Sequence, residues 1–441
     1  MMEQVVLAHG IGGRQDLPIP FTYALWGGAI AVAVSFLALG LLWRESKLRG
    51  AQAGLPLPLA VQRVVDSAAF GWALRLLGLA LAGFTAFAAL FGPDLANNPT
   101  AGIVYVLFWV GIVPASLLFG PVWRYLNPLR TIHRLLALAL RTPPERGLRE
   151  LPKSVGYWPA AAGLFAFTWL ELVAPDRATT STLKIWFGLY AGVHLTAAAL
   201  YGSRWFDRCD AFEVYSALIG KLSPFGRRAD GRLVLRNPFD GLDSLRVEAG
   251  LVATVCVMLG STAYDGLSNS IAWITFVQDS GRSPVLLGTL GLTGTILLVM
   301  VTYTLGTWAS GVFGHVPYRE LPGLFAHSIV PIAVGYVVAH YFSLFIFEGQ
   351  HTLILASDPL VNGSDWFGTA ERGVNYRLVS PATIAMVQVL GVVIGHVLGV
   401  VAAHDRAVRL FPRTHAIAGQ LPLLVIMVGY TLGGLTLLFS S

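Results

Sequence analysis

The chain has 441 residues, of which 55% are hydrophobic and only 12% charged, with a formal net charge of +6. A mean hydropathy of +0.65 excludes a soluble globular protein and a disordered one, and places the chain among polytopic integral membrane proteins. The positive charge calls for no nucleic-acid partner, because Lys and Arg retained on loops facing the cytoplasm, against anionic lipid, account for it.

Residues 1–20, MMEQVVLAHGIGGRQDLPIP, form a polar strip in front of the first apolar run. No Lys or Arg precedes Arg14, and the run from Phe21 to Trp43 is long enough to span, so it reads as a retained membrane helix rather than a cleaved signal. Apolar stretches of about twenty residues then predict ten spans: 21–43, 72–92, 102–121, 155–174, 183–202, 249–273, 284–308, 323–346, 381–403 and 420–439. The sixth is interrupted by Asp265 and the run Ser268–Asn269–Ser270.

The loops between these spans are lopsided in charge. Of the 30 Lys and Arg residues, 24 fall on or beside the loops after the odd-numbered spans, the exceptions being Arg14, Arg177, Lys184, Arg282, Arg372 and Arg377. Basic loops stay inside, so both termini are expected outside a multi-pass plasma-membrane protein. Neither of the two cysteines, Cys209 in an inner loop and Cys256 in the sixth span, is expected to form a disulfide.

Two inner loops look helical. In 125–141, Leu129, Ile132, Leu136 and Leu140 share one face and Arg130, Arg134 and Arg141 another. In 206–222, Ala211, Tyr215, Leu218 and Leu222 oppose Asp210, Glu213 and Lys221. Both patterns predict amphipathic helices lying on the inner leaflet. Each follows a span ending in Gly-x-x-Trp, at Gly120–Trp123 and Gly202–Trp205, which reads equally as a weak repeat or as a common span ending.

The expected fold is therefore an all-α polytopic helix bundle of ten transmembrane helices and two cytoplasmic interfacial helices. It forms one transmembrane domain over 1–441, with the outer strip 1–20, inner loops 122–153 and 203–248, and a long outer loop 347–380. Gly391, Gly395 and Gly399 make a stripe for close helix packing, which Gly429 and Gly433 extend to the last span. The glycines of 288–294 lie inside a span, follow no strand, and so do not form a nucleotide loop.

Ionisable residues within spans are costly and are functional candidates by default. The outer set comprises His9, Asp16, Glu171, Asp265, His340, Glu348 and His351, with Asp358, Asp365 and Glu371 in the outer loop. His194, His327 and His396 lie deeper. Carboxylates beside imidazoles are ligands for hard or borderline metals. The outer set is thus expected to hold a divalent metal through His9, Asp16, Asp265, His340 and His351, with Asp265, His340 and Glu348 carrying the chemistry. Glu348-Gly-Gln-His351 has the Glu-x-x-His spacing of di-metal carboxylate sites, but occurs once where such sites use it twice. Gly266 is positioned to break the sixth helix and line a cavity. His9-Gly10-Ile11-Gly12-Gly13 is like an esterase oxyanion loop, but the Gly-x-Ser-x-Gly elbow that such a loop serves is missing, so a serine esterase is excluded.

Taken together, the stretches LAHGIGGRQDLPIP, FGPVWRYLNPLRTIHR and DAFEVYSALIGKLSPFGRR resemble the polytopic bacterial proteins, abundant in actinobacteria, that carry the name fenitrothion hydrolase. The resemblance runs over most of the chain. It implies hydrolysis of an organophosphorus triester with release of a nitrophenol, and it brings no catalytic residues with it. Metals held by His and carboxylates suit that chemistry, and a hydrophobic small-molecule substrate suits a membrane-edge pocket. Two other classes stay open: a transporter of a metal ion or small solute, and a non-catalytic membrane subunit that meets a partner or a second copy of itself. The topology is testable directly. Single cysteines placed at 10 and 365 should react with an impermeant thiol reagent applied from outside, whereas cysteines at 147 and 230 should not. Labelling at 147 would reverse the orientation.

Overall fold

The computed structural model describes residues 14–311, 316–412 and 417–440; His9 lies outside the described residues. In chain order the main helices are α1 (Phe21–Leu42), α2 (Ala68–Phe91), α3 (Thr100–Phe119), α4 (Pro128–Ala139), α5 (Trp158–Leu172), α6 (Thr180–Tyr201), α7 (Ala211–Ile219), α8 (Leu251–Ser268), α9 (Ile271–Asp279), α10 (Pro284–Ser310), α11 (Ile329–Leu355), α12 (Pro381–Leu410) and α13 (Leu421–Leu438). The molecule is an all-α polytopic bundle. Among the described residues, nine of the helical stretches are long and apolar enough to cross a membrane.

The tenth expected span, 155–174, corresponds to α5. Its 15 residues extend roughly 22 Å at the helical rise, short of a full hydrocarbon core. Protein rather than lipid covers much of it: Ala160, Ala161, Leu164, Phe167 and Leu170 are buried. The loops carrying most of the basic residues gather at one end of the bundle, here the basic end. There a small antiparallel sheet, ordered β1 (Leu55–Pro56), β3 (Leu233–Leu235), β2 (Phe225–Arg227), ties the loop after α1 to the loop after α7.

The two expected interfacial helices differ. α4 keeps Leu136 and Leu140 exposed and turns Arg130, Thr131 and His133 into the protein. The segment 206–222 is also helical, as Arg204–Cys209 and α7, but protein encloses α7 instead of leaving it on the leaflet surface. Phe212 sits 4.8 Å from Phe108 and 5.0 Å from Phe167, centroid to centroid, and Tyr215 stacks on Trp109 at 4.7 Å. The polar face of α7 does not need water because Arg130 and Asn127 satisfy it. An amphipathic pattern records that a face is polar, not what it meets.

The Gly-x-x-Trp endings share a local plan. Gly120 and Gly202 both take positive φ, at 84° and 71°, where a side chain would be strained. Each stops its span, a short helix follows, and an Asx residue then caps the next helix: Asn127 for α4 and Asp210 for α7. The two caps meet, Asn127 Nδ2 donating to Asp210 Oδ2 at 3.3 Å.

α3 departs from α-geometry over Ile103–Val110, an eight-residue π-helical stretch closed by the Gly111 N–H donating to the Val106 carbonyl at 3.1 Å. Such stretches cluster at functional sites, and this one carries Tyr105 and Trp109.

The tightest helix pairing is α11 with α12. A Cβ on Gly395 would lie 2.7 Å from the Pro331 carbonyl oxygen, and one on Gly335 would lie 2.4 Å from that of Gly391. The stripe expected at Gly391 and Gly395 therefore packs on α11. Gly429 and Gly433 have open space around them and take no part. Gly395→Val should lower the melting temperature of the purified protein, corresponding to about 1–3 kcal/mol or more, and Gly429→Val should leave it nearly unchanged. Equal effects would mean that the backbone contact is not limiting.

Candidate functional site

Asp265 lies on α8, three residues before the helix ends, and is 1% exposed. Its Oδ2 accepts the Tyr341 hydroxyl at 2.6 Å and lies 2.9 Å from His340 Nε2. Its Oδ1 accepts from Asn269 Nδ2 at 3.1 Å, and the same amide donates to the Asp265 carbonyl at 2.8 Å. These partners put a hydrogen on His340 Nε2, where it points at the carboxylate. The helix break falls after Ser268, and Ser270 caps α9 by accepting from the Trp273 N–H at 3.2 Å. Gly266, expected to be the break, stays inside α8 and makes room for Tyr336: a Cβ there would lie 2.8 Å from the phenol oxygen.

α11 supplies the facing groups. Tyr336, His340 and Ser343 follow the spacing that keeps residues on one helical face. The rings of Tyr336 and His340 lie nearly parallel, 9° apart, with centroids separated by 6.2 Å. Tyr336 Oη and Ser343 Oγ, and Gln388 Oε1 on α12, are buried without a hydrogen-bond partner among the described residues. Glu171, at the end of α5, is 8% exposed, and its Oε2 likewise has no partner. It lies within electrostatic reach of Asp265, Tyr341 and Arg177. The π-helical stretch closes this side. The Tyr105 hydroxyl donates to the Arg177 carbonyl at 2.9 Å, and Trp109 stacks on Tyr215.

The structure thus brings Asp265 and His340 together. Glu348 and His351 form a separate pair, Nδ1 to Oε2 at 3.3 Å, with the imidazole 45% exposed. Eight residues of helix place Glu348 roughly 12 Å beyond His340. Asp16 belongs to a short turn, Arg14–Asp16. The neighbouring Leu17 and Phe21 pack against a cluster that includes Tyr336 and Ala339 of the dyad's own helix. Of the deeper histidines, His327 lies between the carbonyls of Leu324 and Ala402 at 3.0 and 3.2 Å. His396 Nδ1 lies 2.8 Å from the Val392 carbonyl. His327 is thus held by backbone at both nitrogens, whereas His396 Nε2 is buried without a hydrogen-bond partner among the described residues.

Among the described residues, no group of three or more His, Cys, Asp or Glu side chains is placed to hold a metal ion. The partners of Asp265 explain this. A phenol and an amide aim hydrogens, not lone pairs, at its oxygens, so a divalent cation would meet donors where it needs ligands. Of the expected ligands, His9 lies outside the described residues, and Asp265 and His340 are the two that the described residues bring together. What they fit is proton transfer: a carboxylate, an imidazole and phenols in one hydrogen-bonded group, with a second carboxyl alongside.

Sequence reasoning placed Glu171 in the outer set without assigning it a role, and missed Tyr341, Tyr336 and Asn269. Tyrosine is common in buried positions, so nothing in its neighbourhood marks it. The chain matches no family model, no curated protein and no solved structure. Tyr341→Phe should destabilise the protein by about 1–3 kcal/mol, because a buried carboxylate loses a donor. Glu348→Gln and His351→Ala should each change stability by less than about 0.5 kcal/mol, as for exposed pairs. Thermal unfolding in detergent reads both, and equal losses would remove the distinction between the two pairs.

Proposed function

We propose that this chain is a membrane transporter that moves a small solute together with protons, with Asp265 and His340 as the protonation site. The observation that carries the reading is the pair itself: a carboxylate 1% exposed, 2.9 Å from an imidazole, inside a bundle of apolar helices. Ionisable groups at such depth are expensive and characteristically serve proton relays. Glu171 supports the reading. It is a second carboxyl within electrostatic reach of Asp265, so a proton near the pair has another acceptor close by. The break between α8 and α9, directly beside Asp265, supplies a discontinuous helix of the kind that lines transport sites. With the basic end facing the cytoplasm, the site belongs to the outer half of the membrane.

A second reading, hydrolysis of an organophosphorus triester, rests on the resemblance to the proteins named fenitrothion hydrolase and on one geometric feature. Asp265 positions the His340 ring, as a carboxylate does for an imidazole that acts as general base. In this reading His340 removes a proton from water as the water attacks phosphorus and the nitrophenolate leaves.

One preparation separates the two. Proteoliposomes containing a pH-sensitive dye are challenged with divalent-metal salts and small organic solutes, and the same protein in detergent is given a nitrophenyl phosphotriester. Transport predicts solute-dependent proton flux that Asp265→Asn abolishes, with no nitrophenol released. Hydrolysis predicts nitrophenol release that is lost in His340→Ala, with no solute-dependent flux, and a chelator added to the same assay reads whether a divalent metal takes part. Neither signal in folded protein would overturn both readings and leave the non-catalytic subunit.

A further inference from the structure

Four arginines, Arg75, Arg124, Arg130 and Arg134, lie within electrostatic reach of one another where α2 meets α4, at the basic end. Arg75 sits inside a span, seven residues into α2 and about 10 Å from its start at the helical rise. The ion pair of Asp66 with Arg227 ties that start to the small sheet. One turn beyond Arg75, Gly78 leaves no room for a Cβ against the Leu126 carbonyl, so α2 meets the short helix Trp123–Leu126 backbone to backbone. This seats the Arg75 guanidinium against two rings. Its Cζ lies 5.4 Å from the centroid of Tyr125 and 6.0 Å from that of Trp72. From α4, Arg134 places its Cζ 5.8 Å from the same Trp72 ring.

Two of the four are answered by acids. Arg130 forks onto Glu213, Nη2 to Oε1 at 2.7 Å and Nε to Oε2 at 3.0 Å, and Arg124 meets Asp207 at 3.4 Å. Arg75 and Arg134 form no ion pair among the described residues. Neither α2, α4 nor the short helix between α3 and α4 contains an Asp or Glu. Both side chains are half-buried, and the Nε of each is enclosed without an acceptor among the described residues. Arg75 Nη1 donates to the Gly71 carbonyl of its own helix at 2.8 Å. Aromatic faces attract a cation but do not neutralise it. Two like charges against one indole repel, and a cation inside a span calls for an anion. The surface around them is apolar: Leu76 and Leu77 beside Arg75, and Leu135 and Leu138 beside Arg134, are exposed.

We propose that Arg75 and Arg134 bind the phosphodiester of an anionic phospholipid drawn from the leaflet at the basic end, with Trp72 and Tyr125 holding the guanidiniums in place. Guanidinium N–H groups match phosphate oxygens in pairs, and basic pockets between spans on the basic side suit anionic headgroups. The exposed leucines beside each arginine offer the acyl chains an apolar path. A zwitterionic lipid brings its own cation to the phosphate, whereas an anionic one leaves its charge for the arginines. The site is separate from the Asp265 dyad and stands whether that dyad transports or hydrolyses. It also gives the amphipathic pattern of α4 a function: its apolar face lies on lipid while Arg134, on another face, takes the headgroup.

Thermal unfolding of the full chain in a non-ionic detergent, titrated with single lipids, tests the proposal. Phosphatidylglycerol should raise the melting temperature, and phosphatidylcholine or inorganic phosphate at the same concentration should not. The phosphatidylglycerol concentration giving half the shift should rise at least about tenfold in Arg75→Gln/Arg134→Gln, the loss expected when a charge-assisted hydrogen bond goes. Arg149→Gln/Lys153→Gln removes the same charge from exposed loop positions and should stay within about threefold of the unmodified protein, as screened surface charge would. If the arginine double variant does not fold, Arg134→Gln alone, on the membrane-surface helix, is read in the same way. The proposal is overturned if phosphatidylcholine stabilises as well as phosphatidylglycerol, which would mean a lipid coat without a site. It is equally overturned if inorganic phosphate reproduces the shift, if the loop variant loses as much as the arginine variant, or if the folded arginine variant keeps full sensitivity.

Discussion

A charge held away from water has to be answered by nearby donors, and the far half of this bundle is arranged around that requirement at Asp265. Its oxygens draw on one helix and a loop: His340 and Tyr341 from α11 and Asn269 from just past α8. Consecutive residues of a helix point about 100° apart, so one carboxylate can engage both His340 and Tyr341 only by sitting in the groove between their directions. That fixes how α8 lies against α11. The close approach of α12 to the other side of α11, backbone against backbone at Gly335 and Gly395, leaves α11 little freedom to give way. The dyad is therefore rigid by construction.

The basic end solves the same problem with arginine. Asp405, fully buried on α12, accepts from the Trp43 indole at 3.0 Å, the Ser46 hydroxyl at 2.8 Å and the Lys47 N–H at 2.7 Å, and pairs with Arg409 at 3.2 Å. Asp243 pairs with Arg406 at 3.0 Å. These contacts fasten the loop after α1 and the loop before α8 to the end of α12. In each pair an arginine answers the buried carboxylate.

Sequence and structure agree where the physics is local. Hydropathy runs give the spans because lipid imposes the same demand on every residue of a span, and depth along two helices running the same way was enough to pair Asp265 with His340. What escaped was relational. The pattern of α7 is the same whether its polar face meets water or Arg130, so its burial could not be read from spacing. Gly266 looked like a hinge because glycine weakens helices, whereas here it clears space for a phenol ring. Glu171 was visible as a misplaced charge, but its neighbour Asp265 stands 94 residues further along the chain, a proximity that no local pattern contains.

The π-helical stretch in α3 sets a counting rule for this region. A π-turn accommodates one residue more than an α-turn, so removing a residue from 103–110 would let α3 close up as ordinary α-helix. Everything beyond would then rotate by about 100° and draw back by about 1.5 Å. Ser116, which now meets Ser216 of α7 at 2.8 Å, would swing off that contact. Tyr105 and Trp109 could no longer reach Arg177 and Tyr215 from the same helix at once. Chain length in this stretch is thus held more tightly than side-chain identity, and conservative substitutions should be tolerated where a single-codon deletion is not.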